Sequence, residues 1–555
     1  MANPTQVEIF VPLSALGDAP GVAEHSDPEQ ALWTLAMIEA SRRAGMPRAG
    51  GVRLLRKSLD ARKGFPIGYR MQLEVFAEGA ELPSACFRTE LLTPLGRLPF
   101  LQGGMARLPA PTPLPSKKRV VIVGSGPAGT LCAKRLCEAG AEVILLEQGQ
   151  PVQPRRHDLA RLTRGELSAD SNYCFGEGGA GTFSDGKLYT RSKDRAAIGE
   201  MLLTLVEHGA DPRISVESRP HIGSNRLPKI LLGLRADLTA RGVLYQFGQK
   251  VVELLRLPSG KLLGVRCESG LEVHADAVVL AVGHSARSIY ELMVRQDILV
   301  ERKAFAIGAR IEHPQPLIDR IQYGKLAEHP ALPAAFYQVA TSVGERGVYS
   351  FCMCPGGWVV PSATEPEGLC VNGMSLKRRD SPLANSALVV SVEERDVVPF
   401  ERFSGDPLAG MFFQRSVEQT AFVAGGGRFW APAQKLSDFL ADRASREVLP
   451  TTYRPGIVPG NLAEILPRFV VESLRQAMGR FGRTLPGFAS PQAQLVGVET
   501  RTSSPLRIVR GEDLQSPSLP GLFPVGEGAG YAGGIVSAAI DGLRSADAIL
   551  AYLRG

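Results

Sequence analysis

Residues 120–129 read Val-Val-Ile-Val-Gly-Ser-Gly-Pro-Ala-Gly, and this stretch decides the fold of the chain. Its apolar run predicts a buried strand that turns directly into a helix. Gly124 permits the sharp turn, Gly126 lets a pyrophosphate approach the backbone, and Gly129 lets the helix pack closely on the strand. The free N–H groups and the dipole of the helix N-terminus then attract the phosphates.

A second strand and an acidic residue complete this motif. Residues 128–139 predict the helix, residues 142–146 predict the second strand, and Glu147 ends it, 23 residues after Gly124. At that place a carboxylate accepts hydrogen bonds from both hydroxyls of a ribose and repels a 2′-phosphate. The sequence therefore predicts a βαβ unit that binds FAD or NAD rather than NADP.

Two further glycine clusters have the same spacing without the same context. Residues 176–181 (Gly-Glu-Gly-Gly-Ala-Gly) lack a preceding strand. Residues 528–533 (Gly-Ala-Gly-Tyr-Ala-Gly) follow a predicted strand at 522–525, but no strand and acid come after them. We therefore interpret both clusters as loops that bring the backbone close to a large flat ligand.

A proline-rich stretch at 109–116 separates two regions of different pattern. Four prolines in seven positions exclude a helix or a central strand, so the stretch predicts a stiff spacer. Before it, the pattern has a β-α-β-β order, which predicts a small α+β domain with a strand at 7–11, a helix at 28–44, and strands at 53–59 and 69–76.

The chain after the spacer alternates strands and helices at first and then becomes strand-rich. Beyond the βαβ unit we predict a helix at 228–241, a strand at 243–247, a hairpin at 259–260, a strand at 277–282 and a last helix at 535–553. Residues 300–400 are strand-rich, with turns at 355–357 and 372–373, and residues 405–482 are mainly helical.

Composition places the chain among globular proteins. Its 555 residues suffice for roughly two to four domains, and 44% hydrophobic with 21% charged residues exclude a disordered or fibrous chain. The net charge is +7, but between Arg42 and Arg119 15 basic residues stand against five acidic ones. This surplus indicates a solvated face, or a docking surface for an acidic partner or RNA. The run at 53–57 lacks interleaved aromatic residues, which argues against RNA.

The eight cysteines are scattered and form no Cys-x-x-Cys pair, which excludes a zinc-ribbon spacing and a thioredoxin-type redox pair. They are typical of reduced thiols in a cytosolic protein. The first basic residue is Arg42, so the cationic start of a signal peptide is absent, and no apolar run approaches the roughly 18 residues of a membrane span. We predict a cytoplasmic protein without a membrane span or a metal site.

Several stretches together resemble a group of flavoproteins. The βαβ unit, the strand ending at 277–283 and the closing segment at 521–528 look like the FAD-binding domain of the glutathione-reductase-like superfamily. Within it, five stretches are similar to an uncharacterised FAD-dependent dehydrogenase/oxidoreductase family: residues 178–187, 220–223, 310–314, 349–357 and 498–505.

The resemblance implies an α/β fold, in which FAD lies extended across a Rossmann-like FAD-binding domain. The helix that begins at Ile535 would direct its positive end at the flavin N1–C2=O edge and stabilise the reduced, anionic flavin. Glu527 departs from the pattern, because many superfamily members carry Asp there. The residues implied to contact FAD are Gly124, Ser125, Gly126, Pro127, Ala128, Gly129, Glu147, Gln148, Gly181, Thr182, Lys187, Val251, Val252, Gly283, Gly526, Glu527, Gly533, Gly534 and Ile535.

The implied architecture has three domains and one linker. They are a basic α+β domain (1–108), a linker (109–117), an FAD-binding domain in two parts (118–299 and 491–555) and an inserted β-rich substrate domain (300–490). The implied reaction is hydride transfer between an unidentified organic substrate and flavin N5. The alternative is an RNA-modifying or non-redox FAD protein that holds nucleic acid on its basic domain.

Partners follow from the same features. We expect a small-molecule substrate and no nucleic acid, and the basic domain is a candidate dock for an electron-transfer protein. The middle of the chain lacks a second strand–glycine–helix–strand unit, so we expect poor reduction by free NADH or NADPH.

The candidate catalytic residues are His284, Glu527 and Lys187. His284 directly follows the strand end at 281–283, where it either lies near the nucleotide or serves as a turn histidine.

Two residue pairs also belong to predicted strands. Cys352 and Cys354 are two positions apart and would share one face, where we favour buried thiols over a redox pair. Glu312 and His313 are adjacent and would face opposite sides, so we expect separate roles for them.

Overall fold

The computed structural model describes residues 4–16, 28–46, 49–80, 87–88 and 105–555. They form two compact units. The first unit comprises the described residues of Met1–Leu108 together with Lys187–Ile222 and Gln322–Ala335. The second comprises Pro109–Gly186, Gly223–Ile321 and Phe336–Gly555. The sequence prediction limited the N-terminal domain to 1–108, whereas this compact unit takes two more segments from later in the chain.

The strands are β1 (Thr5–Pro12), β2 (Ala49–Asp60), β3 (Gly68–Ala77), β4 (Phe87–Arg88), β5 (Arg119–Val123), β6 (Glu142–Glu147), β7 (Leu244–Phe247), β8 (Val251–Arg256), β9 (Leu262–Cys267), β10 (Glu272–His274), β11 (Ala277–Leu280), β12 (Val300–Arg302), β13 (Phe305–Pro314), β14 (Ala340–Val343), β15 (Arg346–Cys354), β16 (Gly357–Pro361), β17 (Val371–Ser375), β18 (Leu383–Val392), β19 (Ala431–Lys435), β20 (Ile457–Pro459), β21 (Gln494–Glu499), β22 (Leu506–Ile508) and β23 (Leu522–Pro524). The α-helices are α1 (Pro28–Arg43), α2 (Pro127–Glu138), α3 (Val152–Leu162), α4 (Arg195–Glu207), α5 (Leu227–Ala240), α6 (Arg287–Arg295), α7 (Gln315–Tyr323), α8 (Glu394–Val397), α9 (Ala409–Ala424), α10 (Leu436–Leu440), α11 (Arg468–Thr484) and α12 (Ile535–Arg554).

The first unit is built on an antiparallel sheet in the order β1-β3-β2-β4. Its apolar side chains alternate along the strands and pack against α1, in agreement with the predicted β-α-β-β order. The added segments belong to the same core, because Val216 is buried in it and Leu326 packs on it. The backbone N–H of Lys57 donates to the Val216 carbonyl, and the N–H of Ser218 donates to the Lys57 carbonyl, both at 2.9 Å.

The second unit contains the predicted nucleotide-binding sheet. Its five strands run parallel in the order β23-β11-β5-β6-β7, and β5 and β11 are buried on both faces. Helices α2 and α12 cover one face, and the antiparallel sheet β10-β9-β8 packs on the other. Continuous apolar runs such as residues 120–123 suit such a two-sided burial, which confirms the predicted α/β class with a parallel sheet.

A larger, mostly antiparallel sheet follows in the order β14-β15-β18-β13-β21-β19-β20. Two of its strands, β19 and β20, lie in the stretch that the sequence predicted as mainly helical, and they are only five and three residues long. Strand β21 joins the same sheet beyond residue 490, where the inserted domain was predicted to end. Unit boundaries finer than the two compact units therefore stay predictions.

The predicted turn at 372–373 is wrong, because Asn372 and Gly373 lie inside β17. A side chain at Gly373 would collide with the guanidinium of Arg310, so the glycine serves close packing rather than a turn. The amide oxygen of Asn372 accepts a hydrogen bond from its neighbour's N–H at 2.7 Å.

Adjacent residues on β13 do face opposite sides, as predicted. Glu312 accepts hydrogen bonds from Thr451, Thr452 and Gln494. His313 is fully buried on the other side, where Nε2 lies 2.8 Å from the Phe488 carbonyl oxygen. Its Nδ1 has no hydrogen-bond partner in the described part of the chain. The two side chains therefore form no proton-transfer pair.

Burial of His313 predicts a pH-dependent stability. Burial lowers the pKa of its imidazole from 6.5 to about 4. Between pH 6.5 and pH 4, the unfolded chain therefore binds a proton at this histidine, whereas the folded chain does not. The contribution of His313 to the free energy of unfolding should therefore be fully present above pH 6.5. It should fall by about 3 kcal/mol as the pH drops toward 4. Denaturant unfolding at stepwise pH measures this slope. The slope should flatten in His313→Gln and persist in the exposed control His274→Gln, and identical slopes in all three proteins would contradict it.

None of the helices in the described ranges combines the length and apolar character needed to cross a bilayer.

Candidate functional site

Glycine occupies the three positions of the first motif for different structural reasons. Gly124 has φ +104°, and a side chain there would overlap the carbonyl of Ala281. A side chain at Gly129 would overlap the carbonyl oxygen of Gly124. Gly126 instead has φ −68° and ψ −178°, which any residue adopts, and a Cβ there would have no atom within 4 Å. Its missing side chain therefore keeps a space open rather than relieving strain.

Three loops meet around this open space. A Cβ at Gly179 would lie 3.4 Å from the Cα of Gly126, and a Cβ at Gly181 would lie 3.1 Å from Cγ1 of Ile535. Gly533 and Gly534 are exposed, and a Cβ at either would also meet nothing within 4 Å. Both extra glycine clusters thus lie beside the first motif, and their approach to a large flat ligand stays a prediction.

Two helices direct their N-termini into the same region. Helix α2 begins after Gly126 and α12 after Gly534, and neither of these residues offers a side-chain cap. The first-turn N–H groups of both helices therefore carry uncompensated partial positive charge. Such an arrangement suits the pyrophosphate and an electron-rich flavin edge.

Glu147 lies at the end of β6 as predicted, but its carboxylate is already saturated by the protein. Oε2 accepts from the backbone N of Ser125 (3.0 Å) and from its hydroxyl (2.7 Å). Oε1 accepts from the N–H groups of Gly149 (2.9 Å) and Gly176 (3.0 Å). A carboxylate has about four acceptor positions. Glu147 therefore ties together the first glycine motif and the loop at 170–178, a role that the sequence prediction did not foresee.

Arg155, on α3, organises the second glycine cluster. Its guanidinium is fully buried and donates to the carbonyls of Asn172 (2.8 Å) and Glu177 (2.8 Å). It also donates to the carbonyls of Tyr173 (3.1 Å) and Gly179 (2.9 Å). Burial lowers its pKa to about 10, which leaves it charged at neutral pH. Sequence reasoning missed this residue, because an Arg-Arg pair in a helix normally indicates a solvated face.

The remaining predicted contacts of the adenosine side lie close to Glu147. Gln249 N–H donates to the Glu147 carbonyl at 3.0 Å, so β8 begins beside the end of β6. Val251 is buried in the core and Val252 is half-buried, and Gln148 is half-buried as well. Within the first motif, Ser125 is buried against Glu147, while Pro127 and Ala128 open helix α2.

Two further predicted contact residues make contacts within the protein. Thr182 is buried, and its hydroxyl donates to the Glu177 carbonyl at 2.7 Å, so it stabilises the loop from within. Lys187 is the first residue of the segment that belongs to the first unit, where it forms a β-bridge with His221. Lys187 is thus assigned to a different compact unit from the glycine loops.

His284 and Glu527 are neighbours at the carboxyl ends of β11 and β23. His284 Nδ1 lies 3.6 Å from the Glu527 carboxylate, and its Nε2 lies 3.0 Å from the Arg501 carbonyl oxygen. Gly283 has φ +72°, and a side chain at Gly528 would collide with its backbone. The N–H of Gly526 donates to Asp541 of α12 at 2.7 Å. The structure therefore brings these candidates together at one end of the parallel sheet.

Asp185 is a further residue that sequence reasoning did not single out. It is buried and accepts hydrogen bonds from the Ser375 hydroxyl and from Arg379, whose Nη2 lies 2.6 Å away. The N–H of Gly223 donates to its carbonyl at 3.0 Å. Asp185 fixes the segment after the second glycine cluster against the end of β17. Within a Ser-Asp-Gly sequence it is typical of a turn, so no signal distinguished it.

The expected shared face of Cys352 and Cys354 is wrong. A register shift between Phe351 and Cys354 and a φ of +48° at Cys352 break the alternation of β15. Both are free thiols, and the Cys354 thiol donates to the Cys352 carbonyl at 3.3 Å. Below them Arg310 is fully buried and paired with Glu499 at 2.6 Å. Cys86 lies outside the described residues.

No group of His, Cys, Asp and Glu in the described ranges is arranged to hold a metal ion. The residues that are present fit FAD instead. The space beside Gly126 is kept free of side chains, two uncapped helix N-termini face it, and glycine loops border it.

Comparison with known proteins agrees with this fit. Residues 95–311 match the family described as flavin containing amine oxidoreductase, and residues 304–502 match the family described as FAD-dependent protein, C-terminal domain-like. The protein is therefore a flavin-dependent, oxidoreductase-like protein, and FAD is its cofactor. A Clostridium beijerinckii protein described as an uncharacterized protein is 40% identical over 506 residues, which cover 90% of this chain and 92% of that one. The chain belongs to the same family as that protein.

Solved structures show weaker likenesses. The chain is similar to CtdE in complex with FAD, with 11% identity, 78% of this chain and 83% of that chain covered, and a TM-score of 0.31. It is also similar to the flavin-dependent brominase Bmp2, with 14% identity, coverages of 79% and 80%, and a TM-score of 0.35. At these scores the likenesses carry no argument about activity.

Proposed function

We propose that this protein transfers a hydride between an organic small-molecule substrate and N5 of FAD, as a dehydrogenase or reductase of the glutathione-reductase-like superfamily. The observation that carries the proposal is the open space at Gly126, bordered by the loops at 178–182 and 533–535. When bound, FAD supplies the hydride-accepting centre. The protein's part is to bind it, orient it and control the charge around it.

The helices define how the chain would hold the cofactor. The N-terminus of α2 and the glycines around Gly126 would receive the pyrophosphate. The N-terminus of α12, with Gly533, Gly534 and Ile535, would stabilise negative charge on the reduced flavin. Val251, Val252 and Gln148 would border the adenosine. A ribose contact at Glu147 would require one of its four present hydrogen bonds to be exchanged.

His284 and Glu527 are the proposed pair beside the reacting end. Nδ1 of His284 lies 3.6 Å from the carboxylate of Glu527, so the two side chains can act together on the ribityl side of the cofactor. Lys187 belongs to the first compact unit, and a catalytic role for it stays a prediction.

The nucleic-acid alternative is not favoured. In the described part of the first unit, Arg53 pairs with Glu74, and Arg62 and Arg70 both pair with Asp60 at 2.7 Å. Cations that are paired on the protein attract phosphates weakly. We retain in the proposal an electron-transfer protein that docks on this unit through exposed cations such as Arg56 and Lys63. The free thiols fit a reducing compartment such as the cytoplasm.

The purified protein should be yellow and contain one FAD per chain, released by acid without a covalent link. Anaerobic mixing with a panel of amines, alcohols and acids should bleach the flavin with at least one substrate class. NADH or NADPH at micromolar concentration should bleach it only slowly or in part. The absence of FAD after reconstitution would overturn the cofactor geometry, and full reduction by micromolar NADH within milliseconds would overturn the choice of electron donor.

A further inference from the structure

Four cations lie on or next to the ribbon formed by β12 and β22. Two of them have carboxylate partners: Arg302 pairs with Glu401 and Glu394, and Arg510 pairs with Asp541 at 2.7 Å. The other two are Lys303 and Arg507. Neither has an Asp or Glu oxygen within 4.0 Å among residues 105–555, although the nearby Arg302 and Arg510 each pair with a carboxylate.

Arg507 is held in place without an anion. Its guanidinium carbon lies 5.2 Å from the ring centre of Tyr531, and that of Arg510 lies 3.8 Å from the same ring centre. The Nε atom of Arg507 is buried without a hydrogen-bond partner in the described part of the chain. The ring therefore orients the guanidinium, while its hydrogen-bonding capacity is left for another group.

Lys303 directly follows β12 and Arg507 lies on the neighbouring strand β22 of this ribbon, in which Arg302 is paired with Leu506. Its backbone N–H donates to the Pro505 carbonyl at 3.0 Å, which joins the end of β12 to the start of β22. Burial lowers the pKa of the Lys303 ammonium, and the positive charge of Arg507 lowers it further, against the opposing effect of Glu527. Two half-buried, mutually repelling cations are costly unless an anion joins them.

The ribbon lies directly against the last glycine loop. Ile508 N–H donates to the Ala529 carbonyl at 3.2 Å, and a Cβ at Gly530 would lie 3.1 Å from the Cα of Arg507. The loop carries Glu527, which faces His284. The two cations therefore belong to the end of the parallel sheet where the reacting part of the cofactor is proposed to lie.

We propose that Lys303 and Arg507 form an oxyanion-binding site, and that it takes the carboxylate or phosphate group of the organic substrate. This inference rests on the proposed function and specifies its substrate class. The pyrophosphate of FAD already has the N-terminus of α2 and the open space at Gly126, so the two cations are available to a second anion. Arginine and lysine together suit a carboxylate or a phosphate, because the guanidinium offers a planar fork and the ammonium a point charge.

To test this site, the FAD-loaded protein is titrated with inorganic phosphate and, separately, with acetate at fixed ionic strength. The flavin absorption spectrum and the thermal midpoint report binding, so no turnover is needed. We expect saturable binding of at least one of the two anions, weakened at least tenfold in Lys303→Gln and in Arg507→Gln. The anion that binds more tightly identifies the group on the substrate.

A matched control is Lys261→Gln, which removes one positive charge from the exposed turn between β8 and β9. It should bind the anion like the wild type, and every variant should retain FAD at wild-type occupancy. Arg507→Lys keeps the charge and should bind less than about threefold more weakly.

Three results would overturn the site: no saturable binding in the wild type, an equal loss in Lys261→Gln, or loss of FAD in parallel with loss of anion binding. The last would assign the cations to the cofactor's own phosphates. Failure of the proposed function is read separately, because it appears as a flavin that no substrate reduces even though the anion binds.

Discussion

Gly126→Leu should abolish FAD binding while leaving the protein folded. The backbone at Gly126 adopts an extended conformation open to any residue, and its Cβ direction meets no protein atom within 4 Å. A leucine there would fill the space proposed for the pyrophosphate and block at least two charge-assisted hydrogen bonds. Their loss amounts to about 4 kcal/mol, or roughly a thousandfold in affinity. FAD titration of the apoprotein by fluorescence measures it.

Two further glycines serve as controls for this prediction. Gly129→Leu should yield insoluble or unfolded protein, because its side chain would overlap the carbonyl of Gly124. Gly479 lies in the middle of α11, far from Gly126 in sequence, and a Cβ there would meet no atom within 4 Å. Gly479→Leu should therefore leave both FAD affinity and solubility unchanged. If Gly126→Leu binds FAD with wild-type affinity, the cofactor does not lie where we place it.

Arg155→Met should release the loop at 172–182 and weaken FAD binding more than 100-fold. The substitution conserves most of the volume but removes four hydrogen bonds to backbone carbonyls, of which that of Glu177 keeps the Thr182 hydroxyl as a donor. Each lost hydrogen bond to the guanidinium costs about 1 kcal/mol or more, so the loop loses about 4 kcal/mol. Amide hydrogen exchange across residues 172–182 should accelerate strongly, and FAD titration gives the affinity.

The neighbouring Arg156 provides a matched control, since it is exposed and its replacement by methionine should change neither measurement. Arg155→Lys separates charge from geometry. A lysine retains the charge but cannot reach carbonyls on both sides of the loop, so we expect a loss nearly as large as with methionine. Full recovery in Arg155→Lys would show that the charge alone, and not the planar fork, holds the loop.

The sequence predicted those parts of the fold that depend on local pattern. The strand and glycines around Gly124 define the βαβ unit because turn, helix start and apolar run are all encoded within about 30 residues. By contrast, the role of Arg155 depends on carbonyls 17 to 24 residues away, which no spacing rule identifies. Asn372 and Gly373 show the reverse case, in which a strong local turn signal yields to packing against Arg310.

The residues of the candidate site were implied by the resemblance to FAD-binding domains, and their contacts with FAD stay predictions. The two further glycine clusters were interpreted as loops that bring backbone rather than side chains close to a large flat ligand. The saturation of Glu147 could not be predicted, because one of its partners, Gly176, belongs to a loop without a regular structure of its own. The unpaired state of Lys303 and Arg507 likewise appears only when the partners of the surrounding cations are known.

The three-segment composition of the first unit has a consequence for synthesis on the ribosome. Its core includes Val216 and contacts Leu326, so the first hundred residues cannot complete their packing when they emerge. This packing can be completed only after about two hundred further residues have been translated. Until then, the apolar side chains of the strands are exposed. The parallel sheet waits longer still, because its edge strand β23 begins only at Leu522. Nascent chains of this protein should therefore be clients of ribosome-associated chaperones for most of their elongation.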